Sequence, residues 1–140
     1  MNGQTSGLEA AVRVTRTVHL TLLATIPLYF GLGEMLARVS SGDLRPVRQL
    51  LTVFAVVVFG ALVVVRKRML APAMDLLRRN PDDTAALGRW RAANLISLAL
   101  CESLALYGFV LRFLGASTFE AAPFFAVAFV LMLAFRPSAP

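Results

Sequence analysis

Four apolar runs separated by charged connections constrain this chain more than anything else in it. They fall at about residues 17–37, 50–65, 92–111 and 119–135, each close to the length a helix needs to cross the hydrocarbon of a bilayer. Backbone groups in lipid find no water to bond, so a run of this kind must satisfy its own hydrogen bonds as a helix. With 58% apolar and 16% charged residues and a mean hydropathy of +0.72, the composition lies far from that of a soluble domain. The expected fold is an all-α membrane protein. It is a single four-helix transmembrane domain over residues 1–140, arranged as two helical hairpins, with residues 66–91 as its longest polar loop.

The basic residues set an orientation, because short loops rich in Lys and Arg stay on the cytoplasmic side. Ten lie on one side: Arg13, Arg16, Arg66, Lys67, Arg68, Arg78, Arg79, Arg89, Arg91 and Arg136. The other side has four, Arg38, Arg45, Arg48 and Arg112. Both termini and the 66–91 loop are therefore expected to be cytoplasmic, as suits the inner membrane of a bacterium. The first run is too long for a secretory signal and is read as retained. The net charge of +6 falls between the apolar runs, where it meets anionic lipid headgroups or an acidic partner rather than nucleic acid.

Within this frame several local features stand out. Pro27 interrupts the first run and predicts a kink, and Thr17, Thr21 and Thr25 recur at a spacing that lets each bond back to its own helix. In the loop, Pro72 is expected to open a short helix whose Met69, Met74, Leu76 and Leu77 face the membrane surface, with Arg78 and Arg79 reaching lipid phosphates. The string NPDD reads as the next helix start, with Asn80 as cap and Pro81 in the first helical position. Trp90, between Arg89 and Arg91, is placed in the headgroup belt. The second and fourth runs are apolar on all sides and are expected to wall off a more polar first and third. Residues 22–36, LLATIPLYFGLGEML, align at an offset of 78 with residues 100–114, LCESLALYGFVLRFL. That alignment sets Glu34 opposite Arg112 and suits an internal duplication.

Glu102 is the residue with chemistry to offer. It lies about ten residues from either end of its run, roughly 15 Å from both surfaces at ~1.5 Å per residue. At that depth a charged carboxylate costs several kcal/mol, so the group is expected to be neutral, paired or ion-bound. No Arg or Lys occupies the middle of any run, which leaves a protonated acid that exchanges its proton on meeting water, or a neutral acid making one interhelical hydrogen bond. Asn94, Ser97, Cys101, Ala105 and Gly108 form a narrow stripe of small or polar residues at helical spacing, a packing seam with Glu102 at its edge. Cys101 is read as a small filler of that seam. Glu34 is read as an interfacial ion pair with Arg38, and His19 as a hydrogen-bonded interface residue or a proton relay. One cysteine and one histidine exclude an internal disulfide and a His/Cys metal cluster. No cofactor is expected.

The run RRNPDD followed by ISLALCESLALYGFVLRFL resembles the polar loop and carboxyl-bearing second helix of the proteolipid subunit c of rotary ATP synthases. The likeness covers about residues 78–111. It implies that Arg79, Asn80 and Pro81, next to Arg78, form a partner-facing loop, and that Glu102 carries an ion with Ser103 and Tyr107 as its hydrogen-bonding company. The second run departs from the family's glycine-rich first helix, having Gly60 and a crowd of valines. The interval from Pro81 to Glu102 is also longer than the family's.

Two functions of different class follow. One is an oligomeric ion-handling subunit, in which Glu102 binds and releases a proton. The other is a non-catalytic accessory subunit of a larger membrane complex. The expected partners are further copies of the chain or other membrane subunits, besides anionic lipid. An enzyme is not expected, since the sequence holds no nucleophile with a base, no phosphate loop and no metal set.

Overall fold

A computed structural model describes residues 5–37 and 42–137. The chain is helical: α1 Thr5–Leu36, α2 Arg45–Val65, a π-helical turn Arg66–Leu70, α3 Ala71–Arg79, α4 Thr84–Phe113 and α5 Thr118–Ala134. There is no strand among the described residues. Three rods, Gly7–Leu36, Arg45–Arg79 and Thr84–Phe113, are long and apolar enough to cross a membrane, and α5 is a shorter apolar helix of 17 residues.

The helices run past the apolar segments that mark them. α1 begins at Thr5 rather than at 17, because its first turns have an inward face of their own, with Ala11 and Thr15 buried. The expected 66–91 loop is largely helix as well. α2 passes through the π-helical turn into α3 without a break, and Pro72 sits in the first turn of α3, where a helix tolerates it. The wide turn ends two residues before Pro72, whose ring would crowd the carbonyl four residues back in a regular helix.

The NPDD stop is built differently from the sequence expectation. Asn80 terminates α3, and its Oδ1 accepts the Asp82 amide at 3.3 Å in an Asx turn. Asp83 is the cap of α4, accepting from the Ala86 amide at 2.9 Å. At the far end, α4 closes in a Schellman arrangement. Gly115 takes φ 96°, while the Ala116 amide donates to the Leu111 carbonyl and that of Gly115 to Arg112. A reciprocal capping box between Ser117 and Glu120 then starts α5.

α4 is the hub. It packs against α1, α2, α3 and α5, and α5 also touches α1, but α1 and α2 do not pack on each other. The chain is thus not two side-by-side hairpins, because α4 separates the first two helices. Its stripe of small residues lets α5 approach closely on one face. At Gly108 the approach is closest, since a Cβ there would lie 2.8 Å from Phe125 Cε2. α2 buries Leu62 and leaves Val53, Val56, Val57 and Phe59 exposed, as a wall against lipid requires.

Where α1 begins and α5 ends, a second apolar cluster joins Ala11, Leu70, Ala73, Leu77, Ala86, Trp90 and Ala93. Leu77, expected on the membrane surface, points inward here against α4. Trp90, expected to face the headgroups, is 0% exposed and faces α3 instead. Both changes follow from α3 continuing α2 and lying along the start of α4, which buries the face that a free loop would leave open. Arg66 lies over the Phe135 ring at 4.2 Å and ties the end of α2 to the end of α5.

Candidate functional site

α1 and α4 run in the same direction in a register close to the offset of 78 in the sequence. Thr25 and Tyr29 are one helical turn apart on α1, on either side of Pro27, so their side chains stack on one face. Both reach Glu102. Thr25 Oγ1 lies 3.0 Å from Glu102 Oε1, and the Tyr29 hydroxyl donates to the same oxygen at 3.1 Å. Neither of the two ion pairs found among the described residues includes Glu102. The carboxyl is therefore held by hydroxyls, without a cation.

The single proton of Thr25 has two places to go. Its Oγ1 also lies 2.7 Å from the Leu22 carbonyl. With Glu102 ionised, Thr25 and Tyr29 both donate to Oε1. With Glu102 protonated on that oxygen, the acid donates to Thr25 and Thr25 turns its own proton to Leu22. A hydroxyl rotation is all that separates the two arrangements, so the site satisfies either protonation state in place.

The neighbours of this carboxyl along the bundle axis are apolar. Buried Ile26 and Leu98 and half-buried Leu22 and Leu23 belong to the apolar core packed on one side of it. On the other side the Tyr29 ring stands 6.0 Å from that of Phe109. Glu102 itself is only half-buried. By helical periodicity it borders the α4 face carrying Leu95, Leu106 and Val110, which remain exposed. Approach is lateral, between α1 and α2.

The residues singled out in the sequence divide into groups. Asn94, Ser97, Cys101, Ala105 and Gly108 are all buried. Asn94 donates to the Trp90 carbonyl and Ser97 to that of Ala93. Ser103 donates to the Leu100 carbonyl rather than to Glu102. Tyr107 packs half-buried against the main core, so the company expected from the subunit c likeness is supplied instead by α1. The reason is geometric: residues one and five places beyond Glu102 on one helix point away from a carboxylate that faces α1.

His19 is buried on α1, six residues before Thr25 and hence about 9 Å along the axis at ~1.5 Å per residue. Its Nδ1 and the Trp90 indole Nε1 have no hydrogen-bond partner among the described residues. Arg78, Arg79, Asn80 and Pro81 are exposed at the turn from α3 to α4. Arg38 lies outside the described residues, and Glu34 bonds elsewhere. Arg112 grips it through Nε at 2.7 Å and Nη2 at 2.8 Å, and Thr118 adds a third donor at 2.9 Å.

Thr25 and Tyr29 are the site residues that sequence reasoning misses. Thr25 does bond back to its own helix, which concealed its second contact. The signal that could have found both is the offset alignment, because a register pairing Glu34 with Arg112 also brings Thr25 within one residue of the level of Glu102, with Tyr29 one turn beyond Thr25 on the same face. No protein-family model, curated protein or solved structure matches the chain.

Proposed function

We propose that the protein is a small integral membrane subunit in which Glu102 binds and releases a proton near the bilayer midplane. The observation that carries this is the hydroxyl pair on Oε1, which accommodates the acid and the carboxylate alike with no side-chain displacement. Intramembrane acids are costly to retain and usually functional. Apolar residues flank Glu102 along the bundle axis, so the proton reaches it laterally, from a neighbouring copy or another subunit. Such a chain works as an oligomer or as part of a complex. The likeness of residues 78–111 to subunit c of rotary ATP synthases points the same way for Glu102. Its Ser103 and Tyr107 are replaced in this role by Thr25 and Tyr29.

Four crossings with both termini cytoplasmic, in a bacterial inner membrane, fit the ten cations gathered where α1 begins and α5 ends. A purely structural reading is favoured by the same hydrogen bonds, since they join α1 to α4. The test is Glu102→Gln in purified chain returned to vesicles. Loss of pH-dependent proton flux with the oligomer intact supports proton handling, whereas dissociation of the assembly supports the accessory role.

A further inference from the structure

The two ion pairs among the described residues lie at the end of the bundle where α1 finishes and α5 starts. The opposite end carries most of the cations, and there two arginines line one pocket. Arg68, on the π-helical turn, and Arg89, on α4, flank a pocket of about 250 Å³ floored by Met69, Pro72 and Ala73. Neither forms a salt bridge with a described carboxylate. The π-helical turn is part of what makes the pocket, since such insertions widen a helix and re-aim its side chains, often at functional sites. Ala73, 1% exposed, adds no bulk beneath the arginines.

We infer that this pocket binds the phosphodiester headgroup of one anionic glycerophospholipid. Two guanidinium forks from separate helices match the paired oxygens of a phosphate. The apolar floor distinguishes the site from one for a free anion, because Met69 and Pro72 give the lipid's glycerol and upper acyl carbons a surface to lie on. Its level fits too. The apolar run of α2 ends at Val65 and that of α4 begins at Ala92, so Arg68 and Arg89 stand where headgroups meet hydrocarbon. Basic pockets between membrane helices on the cytoplasmic side bind lipid headgroups in this way. Arg78 and Arg79, exposed on the neighbouring turn, are not part of the pocket.

The experiment uses the full chain in nanodiscs of phosphatidylglycerol and phosphatidylcholine, with the lipid retained on release measured by native mass spectrometry. Phosphatidylglycerol is expected to be retained preferentially. Arg68→Gln with Arg89→Gln should lower that retention by roughly tenfold or more, and each single substitution should give part of the loss. Arg13→Gln with Arg16→Gln removes the same charge at the same end of the bundle but outside the pocket and should leave retention unchanged. Equal loss in the two double variants, or equal retention of the two lipids, overturns the inference.

Discussion

Arg112 and Glu34, 78 residues apart, meet in a two-point fork of 2.7 and 2.8 Å that joins α1 to α4. The arrangement is braced on both partners, because Arg112 also donates to the Ala116 carbonyl at 3.0 Å and Thr118 donates to Glu34. Glu34→Gln and Arg112→Gln should each lower the thermal midpoint in detergent. The double variant should lose less than the two singles added together. The loss should shrink at high salt, since the pair is partly exposed. Additive losses would mean that the fork contributes nothing.

Gly108 tests the packing of the hub. A methyl group there meets Phe125 at 2.8 Å and the Ala121 carbonyl at 3.2 Å, so Gly108→Ala must displace an aromatic ring or a backbone. A cost of about 1–3 kcal/mol is expected, read by thermal or denaturant unfolding. Gly60→Ala is the control, with nothing within 4 Å of the added carbon, and should be neutral or slightly stabilising through helix propensity.

Trp90 is the chain's one tryptophan, and its burial gives a direct optical signature. Its emission should be blue-shifted and insensitive both to iodide and to lipids brominated near the headgroup. A tryptophan in the headgroup belt would instead be quenched by those lipids. Trp90→Ala should destabilise by about 3–5 kcal/mol, as expected for a large buried aromatic.

Thr25 and Tyr29 should matter for proton exchange more than for folding. Thr25→Val keeps the shape but removes the hydroxyl that switches between Leu22 and Glu102. Tyr29→Phe removes one donor and leaves the ring against Phe109. Both variants should assemble normally and lose proton flux in vesicles. Unchanged flux in both would show that the hydroxyls only position the helices.

The main helices were legible because apolar runs in lipid have one solution. Their ends were legible only in part: the short helix opened by Pro72 is α3, but Thr5 to Arg16 and Arg66 to Leu70 are polar or mixed in sequence and helical in the fold. Their order was not legible either: nothing in an apolar run says that α4 would separate α1 from α2. Glu102 stood out by its cost in hydrocarbon, which composition and spacing reveal. Its partners did not, because Thr25 and Tyr29 are ordinary side chains until the register of two helices is known. The burial of Trp90 was not legible for the same reason. An aromatic beside two arginines fits an interface equally well whether or not α3 folds over it.

Carbodiimide labelling of Glu102 measures the central claim most directly, since the reagent needs a protonated carboxyl that can be reached. In vesicles of the intact chain, labelling should map to Glu102, fade as pH rises and vanish in Glu102→Gln. It should persist with the assembly undisturbed. Labelling that is absent at every pH, or that does not change with pH, would contradict a proton-exchanging acid and leave Glu102 as a fixed link between α1 and α4.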